Sequence, residues 1–275
     1  MRANRGRPAA EEGDRASSRF ERHERWIVGA TAVGAVLGGW EWVGRSGLVD
    51  ALFLSTPTAI VATAVEMAGT GELSEHLAAS GTEFFAGYLL AVLTAVPLGL
   101  LAGWYARLNY ALDPFLSALY ATPRVALLPL IILWAGVGLW SKVLVVFLGA
   151  FFPICMSTLA GVRTVDPSHL RVARSFLAGD AHVFRTVILP ASVPFLVAGL
   201  RLGVGRALVG VVVGELYAAS AGVGFMIALA ASTFRTDRLF VGIAIIGAFG
   251  VLCNEVLSRL ERRVELWRPR VGASV

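Results

Sequence analysis

Lysine is almost missing from this 275-residue chain: of 24 basic side chains only Lys142 is a lysine, set in Trp140-Ser141-Lys142-Val143. A phosphate-cradling P-loop needs Gly-Lys-Ser/Thr, so the chain carries no nucleotide-hydrolysing loop of that kind. Cysteine is limited to Cys155 and Cys253, both inside apolar runs, which excludes a disulfide framework. The four histidines (His23, His76, His169 and His182) form no metal-spaced pair. No H-E-x-x-H, G-x-S-x-G or C-x-x-C occurs, so a membrane-embedded enzyme has no catalytic constellation to work with. No internal repeat supports an inverted-repeat carrier. Charge is scarce as well, at 16% of residues, where a soluble domain has about a quarter.

What is plentiful is apolar sequence. Hydrophobic residues make up 56% of the chain and the mean hydropathy is +0.71, which leaves too little polar surface to cover a water-soluble globule and points to a polytopic membrane protein. A helical crossing takes about 20 apolar residues. Six stretches qualify: 26–40, extendable to 43; 84–104; 114–140, interrupted only by Arg124; 143–162; 190–217, which holds Arg201, Arg206 and Glu215; and 239–253, extendable to about 257. The expected class is therefore an all-α membrane protein with six transmembrane helices over 26–260, flanked by a basic tail 1–25 and a tail 261–275. Trp40-Glu41-Trp42 reads as an interfacial anchor that keeps the first helix in the mature chain.

The arginines orient these spans. They lie between apolar runs instead of forming one nucleic-acid-facing cluster, so no nucleic-acid partner is expected. Cytoplasmic loops carry the excess of Lys and Arg. The tail 1–25 has seven Arg, the loop 163–190 has four, and the end after 256 has five, whereas 44–83 has Arg45 against five acids. Six spans put all three basic regions on one side, with both termini cytoplasmic. The Gly/Ala/Ser-rich stretch 218–234 is then a short or re-entrant outer helix, with Gly222 and Gly224 in its tight turn. The segment 57–80 reads as an outer-surface helix, capped by Thr56-Pro57, with Val61, Val65 and Ala68 on one face. Its expected role is interfacial packing or docking of a delivery protein.

The loop 163–190 is the most informative. Asp166 is a good N-cap and Pro167 a good first helical residue. Gly179 suits the position past a helix C-terminus, and Asp180 can cap a second short helix from Ala181 to about Val187. Leu170, Ala173, Phe176 and Leu177 share one face at helical spacing, so this helix would lie on the membrane or in a partner's groove.

At these residues the chain resembles the permease subunits of ATP-binding-cassette importers. Their EAA pattern runs Glu-Ala-Ala, three residues, Gly, nine residues, Ile, one residue, Leu-Pro. Ala173, Leu189 and Pro190 match in frame, and Val172 and Val187 are mild replacements. Arg171 stands where Glu is usual and Leu177 where Gly is usual. Leu112-Asp113-Pro114, Ala121-Thr122-Pro123, Ala126 through Trp134, Gly136-Val137-Gly138, Phe152-Pro153-Ile154, Gly199-Leu200-Arg201, Gly214-Glu215 and Ala221 through Phe225 resemble the nitrate/sulfonate/taurine subfamily. Gly71-Glu72-Leu73 with His76-Leu77 fits too, although Glu83 stands where the subfamily often has Arg.

The resemblance implies a MetI-like fold, a homodimer in a bacterial inner membrane, a partner ATPase pair and a separate substrate-binding protein. The chain itself would be no enzyme and bind no cofactor, ATP being held by the partner. It further implies that Leu170, Arg171, Ala173, Arg174, Phe176, Leu177, Gly179 and Asp180 form the coupling region to the ATPase. Arg201, Arg206, Glu215, Gly222 and Gly224 are the candidates for the path or its gate, with Arg124 expected at an interface. The preferred cargo is a small sulfonate-, nitrate- or taurine-type anion. The alternative is a stand-alone channel or carrier.

Overall fold

Every regular element in the computed structural model, which describes residues 9–50 and 52–265, is helical. Eleven α-helices follow one another among the described residues: α1 (Ala9–Arg45), α2 (Pro57–Thr70), α3 (Glu72–Trp104), α4 (Ala106–Ala121), α5 (Leu128–Ala135), α6 (Leu139–Arg163), α7 (Pro167–Ser175), α8 (Asp180–Val183), α9 (Leu189–Ala218), α10 (Val223–Ser232) and α11 (Thr236–Glu265). Five are long and apolar enough to cross a membrane, or six if the bent pair α4 and α5 counts as one.

The core is where α6 meets α3 and α9. Phe84, Ala91, Val146, Ala150, Ile154, Cys155, Val204, Ala207 and Val211 bury one another there. α3 supplies small residues every fourth position (Gly87, Ala91, Ala95 and Gly99), all buried, so two backbones can close on each other without a hydrophobic drive from lipid. Gly149 does the same for α9: a Cβ there would lie 2.8 Å from the Arg206 carbonyl oxygen. Pro97, Pro153 and Pro194 sit inside continuous helices.

The third span, the apolar run 114–140, is bent sharply at its prolines. α4 ends at Ala121, and α5 leaves at 93° to it. The reason is local. Pro123 has no N–H, and it forces Thr122 into an extended conformation (φ −72°, ψ 128°). One 3-10 turn, Arg124–Leu127, then leads into α5.

The loop 163–190 differs in several details. α7 ends sooner than expected, with Phe176 as C-cap. Leu177, not Gly179, takes the left-handed conformation (φ 54°). Its N–H reaches the Arg174 carbonyl (2.9 Å) and that of Ala178 the Ala173 carbonyl (3.3 Å), the paired bonds of a Schellman close. Gly179 is extended and itself caps α8, of which Asp180 is the first residue. Nor is 181–187 a free helix: α8 runs through a wide π-turn, Phe184–Ile188, straight into α9. Pro190 has no N–H to return, and the wide turn absorbs that gap.

The segment 57–80 is likewise two helices, broken at left-handed Gly71. The Thr56 hydroxyl accepts from Ala59 N at 3.3 Å, as a cap should. α2 buries Met67, with Ile60 and Ala64, against Val223, Met226 and Val241. Val61 and Val65 are exposed, so the covered face is not the one expected. α1 begins at Ala9, well before the expected span at 26, and its apolar stretch stands clear of the bundle. Among the described residues its contacts with the bundle are at the C-terminal end. Trp40 Nε1 donates to the Ser55 carbonyl (2.9 Å), and Glu41 accepts from the Thr58 amide (3.1 Å) and hydroxyl (2.7 Å). Residues 1–8 and 266–275, parts of the two expected tails, lie outside the described residues.

Candidate functional site

Three groups of polar or protruding residues stand out against the apolar bundle. The first is the tip of α7. Asp166 caps the helix by accepting from Ser168 N at 2.7 Å, and that bond holds its carboxyl below the ordinary aspartate range. Leu170 and Ala173 are half-buried, while Arg171 and Arg174 are exposed. Phe176 and Leu177 are 81% and 94% exposed: two large apolar side chains held out by the close of the helix. A cleft of about 1050 Å³, lined by Val172, Ala173, Val187, Pro190, Pro194 and Phe195 among others, separates α7 from the start of α9.

The second group lies toward the opposite end of the bundle and joins α3, α6, α9 and α10. Lys142 pairs with Glu83, and both are buried. Beside Glu83 lies Glu215, 1% exposed. Glu215 accepts from the Ser80 hydroxyl (2.5 Å) and from Gly224 N (2.5 Å). Ser80 Oγ accepts from Val223 N (2.8 Å), and His76 Nδ1 accepts from Gly222 N (3.1 Å). Three successive amides at the start of α10 are thus held by α3 and α9 side chains. Charges buried in an apolar bundle persist only when paired or hydrogen-bonded. Here the one ammonium pairs with Glu83, Glu215 is held by hydrogen bonds alone, and the second oxygen of Glu83 accepts no hydrogen bond.

Sequence reasoning found Glu215, Gly222 and Gly224 but missed Glu83, Lys142, Ser80 and His76. The signal available was a solitary lysine and a glutamate at the edges of apolar runs.

The third group surrounds the bend of the third span. Arg124 Nη1 donates to the Gly149 carbonyl (3.1 Å), and its guanidinium lies over Tyr120 (5.9 Å) and Phe152 (5.5 Å). Arg206 faces the same cavity, of about 330 Å³. Arg124 is half-buried and Arg206 exposed, so the two line an open cavity on the flank of the bundle at the bend of the third span. Arg201 is not brought there. It pairs with Glu261 (2.5 Å) and Ser258 (2.6 Å) and ties α9 to α11.

Comparison with known proteins fits this architecture. Residues 95–266 match the family described as binding-protein-dependent transport system inner membrane component. The chain is 38% identical to the putative aliphatic sulfonates transport permease protein SsuC of Bacillus subtilis, over 88% of each chain. It is 36% identical to the taurine transport system permease protein TauC of Escherichia coli, over 89% of this chain and 90% of that one. A solved inward-facing MetNI methionine ABC transporter superposes with a TM-score of 0.62 at 16% identity, covering 69% of this chain and 94% of that one. That likeness is one of fold. The chain thus belongs to the binding-protein-dependent transport system inner membrane components: it is a multi-pass membrane permease of an ABC importer, working with a substrate-binding protein and with an ATPase activity that resides on a separate subunit.

Proposed function

We propose that the chain forms, as a homodimer in a bacterial inner membrane, the path for a small sulfonate-type anion. The α7 end faces the cytoplasm together with both termini, because the three arginine-rich regions then share one side. Nucleotide stays on the partner ATPase, and this chain needs no cofactor of its own. The observation that carries the reading is the α7 tip: Phe176 and Leu177 project as apolar knobs beside a cleft, a shape suited to a groove on another subunit. Leu170, Arg171, Ala173, Arg174, Gly179 and Asp180 complete that surface. The sulfonate class follows the named cargo of the relatives SsuC and TauC.

The test is purification of the tagged chain in mild detergent, then reconstitution with what accompanies it. A stoichiometric ATPase subunit and ATP-dependent uptake of ethanesulfonate or taurine are the expected results. A chain that stays alone after cross-linking, and conducts without ATP, overturns the reading.

A further inference from the structure

Arg124 and Arg206 occupy the worst place in a membrane protein for two like charges. At about 1.5 Å per residue, Gly149, which accepts from Arg124, lies ~15 Å from one end of α6 and ~21 Å from the other. Arg206 lies ~26 Å and ~18 Å from the ends of α9 by the same rise. Both therefore sit at mid-depth in a hydrocarbon layer about 30 Å thick. They are near enough to act on each other electrostatically. Among the described residues neither meets a carboxylate. Arg201, on the same helix, has its own glutamate. A chain that pairs its other intramembrane cations, Arg201 and Lys142, yet leaves these two facing one cavity, has left a place for an anion.

The cavity suits one. Its volume of about 330 Å³ falls in the range of small-ligand sites, about 300–1,000 Å³. Arg124 is steadied by the Gly149 carbonyl and by two aromatic rings, so it need not reorganise to bind. The remaining wall includes Val125, Val145, Val209 and Val213, which offer an apolar lodging beside the charged pair. The bend at Thr122-Pro123 opens onto the same space. Non-helical backbone at membrane depth persists where it is buried in protein or lines a watered cavity, and interrupted spans are where transporters hold their cargo.

We propose that Arg124 and Arg206 form an oxoanion site within the membrane, taking the sulfonate head of a short alkanesulfonate while the valines receive its tail. This rests on the importer reading above, since it places the site on the cargo's route.

The probe is ethanesulfonate, with choline as the oppositely charged control, applied to the permease–ATPase complex in detergent. Phenylglyoxal labelling of the wild-type complex, read by mass spectrometry, should show Arg124 and Arg206 protected by ethanesulfonate and not by choline, with Arg171 and Arg174 on α7 indifferent to both. Binding should weaken at least about tenfold in Arg124→Gln and Arg206→Gln, as expected for loss of a charged hydrogen-bond donor. No protection in the wild type, or unchanged affinity in folded variants, overturns the site. So does an Arg206→Gln complex that splits into single copies, which would assign Arg206 to a subunit contact. Uptake in proteoliposomes with the binding protein separates the two readings. Protection without ATP-driven uptake leaves the site standing and removes the sulfonate importer. Uptake by the glutamine variants at the wild-type rate does the reverse.

Discussion

The carboxylate of Glu215 fills the space where Gly222 would carry a side chain, and it accepts the amide of Gly224 two residues further on. Gly222 has φ 125° and ψ 162°, a region open in practice to glycine alone. Gly222→Ala therefore meets both a backbone cost of ~1–3 kcal/mol and an overlap with a carboxylate that cannot retreat. The expected outcome is a complex of lower melting temperature with little transport. Normal transport by the variant would disprove the packing argument.

Lys142 and Glu83 give a sharper test. Removing one member of a buried pair leaves an uncompensated charge and costs about 3–5 kcal/mol, whereas replacing both can be neutral. Lys142→Met alone should strongly destabilise the purified protein. Lys142→Met with Glu83→Gln should recover most of the loss, because glutamine also offers Glu215 a donor. A thermal-unfolding double-mutant cycle measures the difference, and simple additivity would mean that the pair does not act as a unit.

At the other end of the bundle, Phe176→Asp and Leu177→Asp should abolish co-purification of the ATPase while leaving the permease folded, as judged by gel filtration. Retention of the ATPase by both variants would place the coupling surface elsewhere.

Leu177 holds a left-handed conformation that costs a side-chain-bearing residue roughly 1–2 kcal/mol. Leu177→Gly should therefore slow hydrogen exchange at the Ala178 amide, which closes the helix onto Ala173. The same variant loses a projecting apolar knob, so ATPase affinity should fall even as the helix end tightens. Opposite signs for the two readouts are the point of the experiment.

Asp166 caps α7 as a carboxylate whose ionisation lies below the ordinary range, because Ser168 N–H favours the charged form. A group depressed in this way stabilises the fold above its unfolded pKa and loses that effect only as the pH falls through the lower folded value. Exchange at Ser168 N, corrected for intrinsic rates, should thus show no cap-related change from about pH 5 to 8. Asp166→Ala should accelerate it at every pH in that window, and Asp166→Asn should not.

Much of this was legible in the chain. Five spans, the start of α7 at Asp166-Pro167 and the short helix after Gly222 follow from apolar run length and cap residues, which are local properties. The failures are non-local or conformational. Pro123 lacks an N–H and so interrupts a helix, but the angle of the break depends on what α6 and α9 offer at that depth. Gly179 looked like the natural terminator of α7, yet Leu177 took the left-handed position, because the Ala173 and Arg174 carbonyls came free earlier than expected. Lys142 was conspicuous only as the lone lysine; its partner Glu83 lies on another helix, and no periodicity joins the two. Arg124 and Arg206 could each be seen entering an apolar run, but that they share one cavity is a fact of packing.

The bend at Thr122 also governs how the chain settles during synthesis. α4 has 16 residues and α5 has 8, each short of the ~20 needed to span the hydrocarbon, and a guanidinium sits at their joint. Neither half is a stable solitary insert. α6, which carries the highest hydropathy of the five long spans (2.3), emerges next and supplies the wall that Arg124 leans on. A nascent chain truncated before α6 should leave the 106–135 segment open to protease, and one extended past Arg163 should protect it. On that outcome the third crossing is completed only after the fourth.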